Sequence, residues 1–193
     1  MKGGATAFAG PAAQAVSVVT GMRFSAPPEQ VWVGLMFYEQ ITQRPPLHLR
    51  LLLPVPERAE GRQSAVGDVT RCVYREGYLL KRITEILPCR LCRFEVLKQE
   101  LPIAGEVRLT SGSYALRELP DRSTRVELET RYLSPRYPRW LWGPIEIAVC
   151  HSFHRHILGA MRRAVESPAA ASSKDALREC RTPPALTGER GPS

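Results

Sequence analysis

The chain has 193 residues, of which 44% are hydrophobic and 24% charged, with a net charge of +8. That is enough for one domain with a sizeable core, of ordinary globular composition. It contains no run of 18 apolar residues, which excludes a membrane-spanning helix, and its five cysteines do not make a disulfide scaffold in a chain this long.

Nearly all the basic residues are arginines, since the only lysines are Lys2, Lys81, Lys98 and Lys174. The arginines are scattered through every segment and mostly sit beside acids, as on a solvated surface; no specific nucleic-acid partner is expected. Cys89 and Cys92 form a lone CxxC with no second ligand pair at zinc spacing, so structural thiols are expected and no metal. No cofactor is expected either.

Residues 1–14 read as a flexible lead-in, too weakly apolar for a secretory signal, and a cytoplasmic protein is expected. Residues 15–26, AVSVVTGMRFSA, are rich in β-branched side chains and read as a strand. Ser25, two prolines and Glu29 then mark a helix start, with Val31, Leu35 and Tyr38 at helical spacing. That helix should end before Pro45 and Pro46. Residues 47–56 are compatible with a strand or a short helix, and 57–67 with a loop.

Beyond Gly67 the pattern has period two. Residues 67–77, 78–87, 90–99, 106–119 and 122–134 read as five successive strands with short joints, the pattern of an antiparallel meander. In the last of them Val126, Leu128, Thr130 and Tyr132 share one face, and Arg125, Glu127, Glu129 and Arg131 the other. One face should be buried and the other wet. SGS at 111–113 marks a bulge or bend. From about Pro144 to Val165 the pattern is helical, and 167–193 reads as a disordered tail. The domain is expected over 15–166.

A helical wheel centred on Phe153 places Val149, Ile157, Ala160 and Ala164 within about 40° of it. His151, Arg155 and Arg162 fall opposite, and His154 and His156 on the two shoulders. On this wheel the three histidines diverge, so they make no metal site.

The order strand, helix, antiparallel meander, long amphipathic helix resembles the SRPBCC superfamily, also called START-like or polyketide cyclase/dehydrase-like. The resemblance rests on FSAPPEQVW (24–32), GDVTRCVYREG (67–77), ITEILPCRLCRFEV (83–96) and GSYALRELPDRSTRVELETRYLS (112–134), and spans about 15–166. Ser123 and Thr124 stand where such proteins usually have Gly-Thr. The resemblance implies an α+β helix-grip fold, a curved antiparallel sheet of six or seven strands around the C-terminal helix. It also implies an apolar cavity between them that holds a lipid, polyketide-like or other hydrophobic molecule, and in a minority of members performs catalysis.

Polar groups on an apolar inner face need partners, and a ligand can be one. Glu146 falls about 20° from Phe153 on the wheel. It is either helix-start chemistry after Pro144 or a carboxylate at the cavity mouth. His154 is a satisfied histidine or a proton carrier, and Tyr114 and Tyr132 are core packing or ligand contacts. Arg71 shares the parity of Val69 and Val73 and would signal an anionic ligand if it pointed inward. Trp142, Val149, Phe153 and Ile157 complete the expected lining.

The leading reading is a binding or carrier module for a hydrophobic small molecule. Its alternative is a cyclase, aromatase or hydratase using Glu146 and His154. Arg136, Tyr137, Arg139, Trp140 and Trp142 form either a packed lid, the favoured reading, or a weak contact with an anionic membrane surface. Nothing in the sequence speaks to oligomeric state.

Overall fold

The computed structural model of the protein describes residues 13–36, 56–61, 63–74, 77–101 and 107–167. The expected flexible lead-in up to residue 12, the 47–56 element up to its last residue, and the expected tail after Ser167 lie outside them, whereas Gln14, expected in the lead-in, already belongs to the first strand.

The described chain runs β1 (Gln14–Phe24), α1 (Pro28–Met36), β2 (Pro56–Gly61), β3 (Val69–Tyr74), β4 (Gly77–Leu87), β5 (Leu91–Glu100), β6 (Arg108–Glu118), β7 (Thr124–Ser134) and α2 (Arg139–Val165). The strands form one curved, seven-stranded antiparallel sheet in the order β1-β7-β6-β5-β4-β3-β2. β2 to β7 are a continuous meander. β1 closes against β7 in unbroken register, from Gln14 opposite Ser134 to Phe24 opposite Thr124. Thr124, fully buried, ties this end down by donating its hydroxyl to the Ala26 carbonyl at 2.7 Å.

Alternation decides which face is wet. Val126, Leu128 and Tyr132 of β7 are buried as expected, beside Val18, Thr20 and Phe24 of β1. The other face carries ion pairs between and along strands: Arg82 with Glu95, Arg93 with Glu85, Arg125 with Glu127, and Arg131 with Glu129. Much of the arginine excess is thus a solvated outer face, where each exposed pair is worth under about 1 kcal/mol.

Two expectations about elements need correction. Residues 57–61, read as loop, belong with Pro56 to the edge strand β2 paired with β3. Its PERAEG sequence is polar and charged, as suits a strand with one edge open to water, and such strands lack the apolar alternation that betrays inner ones. The closing helix begins at Arg139 rather than near Pro144, so Pro144 lies inside it. Pro138 caps it in an extended conformation, and the amides of Leu141 and Trp142 both donate to its carbonyl.

α2 lies over β1 and β7 and against α1. Its contact with α1 is close: a Cβ on Gly34 would come within 2.3 Å of the Val165 Cγ2. Phe24, Val31, Trp32, Leu116, Val126, Leu158 and Met161 form the main core between these elements. Burial of each large side chain stabilises by about 1.5–3 kcal/mol.

The expected bulge is present, with the β6–β7 register shifting between Leu109 and Ser111. Just after it, Gly112 lets β5 and β7 come close: an added Cβ would meet the Phe94 ring at 2.5 Å and the Glu129 carbonyl oxygen at 2.9 Å. The ring can turn aside, but the carbonyl is held in the sheet. Gly112→Ala should therefore lower stability by about 1–2 kcal/mol in urea unfolding. An unchanged midpoint would show that the sheet yields there at no cost.

Candidate functional site

Between α2 and the β1–β7 pair the interior is layered. Furthest toward α1 is the main apolar core. Next comes a polar layer of Thr20 (β1), Thr130 (β7), His151 and His154 (α2). Then follows a small apolar cluster of Val18, Val107 and Tyr132, with Val16, Leu109 and Cys150 packed on it. The last layer is polar again: Ser134, Glu146 and Arg139.

In the first polar layer His154 is fully buried. Its Nδ1 lies 2.8 Å from the Thr20 hydroxyl and its Nε2 lies 2.8 Å from the Thr130 hydroxyl. The Thr20 hydroxyl also meets His151 Nδ1 at 2.7 Å. A neutral imidazole offers one donor and one acceptor, which hydroxyls can match by rotating. Burial, reinforced by the neighbouring His151, pushes the His154 pKa down to about 4. Cys150 Sγ stands 3.5 Å from Nε2, and burial pushes its thiol up to about 12. The pair is thus neutral thiol beside neutral imidazole, not an activated thiolate.

In the second polar layer Glu146 is buried with both oxygens engaged. Ser134 donates its hydroxyl to Oε1 at 2.6 Å, and Arg139 Nη1 donates to Oε2 at 2.8 Å. Arg139 also donates to the Ser134 hydroxyl and, through Nε, to Gln14 Oε1. Tyr132 lies between the two polar layers. Its hydroxyl is enclosed and makes no hydrogen bond of ordinary geometry among the described residues, though the Glu146 carboxylate is near enough to act on it. Burial first, then the Glu146 charge, pushes its pKa up to about 12.

Beyond this seam, further apolar side chains pack on the core yet stay half-buried: Ile86, Phe94 and Tyr114 on β4–β6, Met22 on β1 and Phe153 on α2. The Phe94 and Tyr114 rings are 6.5 Å apart, and Lys81 Nζ lies 5.0 Å from the Phe94 ring centre.

Several placements differ from the wheel and parity arguments. The buried side of α2 runs through Gly143, Cys150, His154, Leu158, Met161 and Val165, about 100° from a centre at Phe153. Phe153 and Val149 are only half-buried, whereas Ile157 is in the core. His154 is thus central rather than a shoulder residue, and His151 turns inward to Thr20 instead of outward. The wheel ranked α2 by its own hydrophobicity, but the sheet opposite supplies hydroxyls that make buried histidines affordable.

Glu146 is not helix-start chemistry either. With the helix beginning at Arg139 it lies two turns in, and a side-chain cation and a hydroxyl hold it. Arg71 is exposed and stacks 4.2 Å over the Tyr78 ring, its strand parity opposite to that of buried Thr70 and Cys72. It therefore faces outward and offers no inner anion site. Trp142 is half-buried under the Arg136 guanidinium at 4.5 Å, but Tyr137 and Trp140 are 74% and 78% exposed, so this segment is not a packed lid. Tyr114 and Tyr132 do lie on the inner face.

Thr20, Thr130, Ser134, Arg139 and Cys150 were missed as members of the polar layers. Thr20 and Thr130 stand at inward strand positions, and Cys150 and His154 are one turn apart, but only the β1–β7 pairing brings them together. Cys92 is buried, and Cys89 is disulfide-bonded rather than the thiol expected of it. Among the described residues no group of three or more His, Cys, Asp or Glu could hold a metal, and no helix is long and apolar enough to cross a membrane.

No protein-family model and no curated relative matches the sequence. Solved structures do. The Zhui aromatase/cyclase from Streptomyces sp. R1128 superposes with a TM-score of 0.53 at 19% identity, over 80% of this chain and 98% of that one. The XoxI protein from Bacillus cereus gives 0.52 at 16%, over 78% and 95%. Ara h 8.0201 gives 0.50 at 14%, over 79% and 98%. At such identities the likeness concerns the fold. Seven antiparallel strands, the α1 crossover, the long closing helix and these neighbours together make this the helix-grip, SRPBCC-like fold.

Proposed function

We propose that the protein binds a hydrophobic small molecule between the inner face of the sheet and α2. The observation that carries this reading is the set of half-buried apolar side chains on the sheet and α2, among them Phe94, Tyr114 and Phe153. Apolar groups that pack on a core but stay open to solvent gain by covering with an apolar ligand, at about 25 cal/mol per Å². A structural neighbour that is an aromatase/cyclase agrees with an apolar, ring-bearing guest.

Native mass spectrometry of freshly purified protein should reveal a co-purified apolar molecule. Adding back an aromatic or lipid ligand at a hundredfold excess over its Kd should stabilise the fold by about 2.7 kcal/mol. Tyr114→Ala should weaken that response. Empty protein together with no thermal shift across a lipid and aromatic panel would sink the reading.

No observation favours the cyclase or hydratase reading at Glu146 and His154. The carboxylate is engaged by Arg139 and Ser134, both imidazole nitrogens are engaged by threonines, and both side chains are closed off from solvent.

A further inference from the structure

The outer side of the first half of α2 is apolar. Between Arg139 and Arg155 its one carboxylate, Glu146, is turned inward and buried. Trp140, Leu141, Pro144, Ile145, Ile147 and Ala148 are all exposed, and Tyr137 extends the patch just before the helix. A surface helix of a globular domain normally turns charged or polar residues outward, so this stretch inverts the usual pattern.

The same side of the helix continues as a basic strip. At 100° per residue Leu141, Pro144, Ala148, Arg155 and Arg162 fall within about 60° of one another, and both arginines are exposed. The acid on that side, Glu166 at the C-cap, is engaged by the Ser25 amide.

We propose that this side of α2 docks on an anionic lipid bilayer, with Tyr137, Trp140, Leu141 and Ile145 in the interface and Arg155 and Arg162 against headgroup phosphates. Amphipathic rings beside branched aliphatics are the side chains that gain most at the headgroup–acyl boundary. A guanidinium matches phosphate oxygens with paired donors. The net charge of +8 draws the whole molecule to an anionic surface. The same charge opposes a second copy of the chain as the occupant, since it would bring matching arginines. The docking rests on nothing in the ligand reading: a protein with no guest would still bind vesicles, and a guest-binding protein need not.

The test is co-sedimentation of the full chain with vesicles of phosphatidylcholine alone and with about 30% phosphatidylserine. The protein should pellet with the anionic vesicles, and less so as salt rises through about 0.1 M. Trp140→Glu with Ile145→Glu should lower the partition coefficient about tenfold or more. Arg155→Gln with Arg162→Gln should remove most of the preference for anionic over neutral vesicles. Since these side chains are exposed, circular dichroism and the unfolding midpoint should stay unchanged; Trp140→Ala with Ile145→Ala replaces the Glu pair if that pair fails to fold. Three outcomes would overturn the proposal. One is no pelleting with either vesicle at low salt. Another is equal binding by the apolar-face variants. The third is a dimer in sedimentation velocity that those variants dissociate, without any vesicle binding.

Discussion

Arg139→Ala is expected to destabilise the protein by about 2–4 kcal/mol, although the residue touches no part of the main core. Glu146 is 8% exposed, and its carboxylate is compensated by one guanidinium and one hydroxyl. Removing the cation leaves a buried negative charge with only the Ser134 hydroxyl, and also strands Gln14 at the edge of β1. The Arg139 side chain is 25% exposed, so water recovers part of the loss and the effect falls short of a fully enclosed pair. Arg139→Met combined with Glu146→Leu should recover most of the stability lost in the single variant, because desolvation of two charges disappears together with their attraction. Urea unfolding of the single and double variants decides the matter. If Arg139→Ala costs less than about 1 kcal/mol, the pair is a surface interaction and the layer has no structural weight.

The second large effect is on acid stability. His154 has a folded pKa of about 4, below the ordinary 6.5. Between these values an unfolded chain takes up a proton at His154 that the folded chain refuses. The stability contributed by keeping this ring neutral is therefore present above pH 6.5 and lost as pH falls toward 4. The loss is at most about 3 kcal/mol. The groups around the ring do not relieve it: His151 shares the Thr20 hydroxyl and repels a second proton, and the Cys150 thiol stays neutral. His156, half-buried and also shifted down, adds a smaller effect of the same sign.

His154→Gln keeps hydrogen-bonding capacity toward Thr20 and Thr130 but cannot titrate. It should cost about 1–2 kcal/mol at pH 7 and flatten most of the slope of stability against pH between about 4 and 6.5. Stability profiles of the two proteins that stay parallel through this range would show that the slope arises elsewhere.

Much of the fold was legible in the chain because a half-buried antiparallel sheet writes its faces into alternate residues. β7 is the clearest case. Val126, Leu128, Thr130 and Tyr132 were readable as an inner face and Arg125, Glu127, Glu129 and Arg131 as an outer one, and the strand pairs with β1 in unbroken register and with β6 across one bulge. The same signal fails at β2, whose edge position allows a polar sequence, and at Arg71, whose place among valines suggested an inward side chain. In β3 the inward partners are Thr70 and Cys72, so hydropathy pointed to the wrong parity.

The candidate site was legible only as a list of residues. Composition and periodicity by themselves determined an antiparallel meander and a long closing helix, the resemblance supplied the curved sheet around that helix, and Glu146, His154 and Tyr132 were singled out on this basis. Tertiary structure decided what those residues do, because the answer lies in partners far away in sequence. Thr20, more than a hundred residues before His154, makes the histidine a buried neutral link. Arg139, brought onto Glu146 by the earlier helix start, turns a potential base into half of an ion pair. A side chain's charge state and hydrogen bonds depend on what stands within about 3 Å of it, and a local pattern along one strand or helix carries no information about the residue that packing will place opposite.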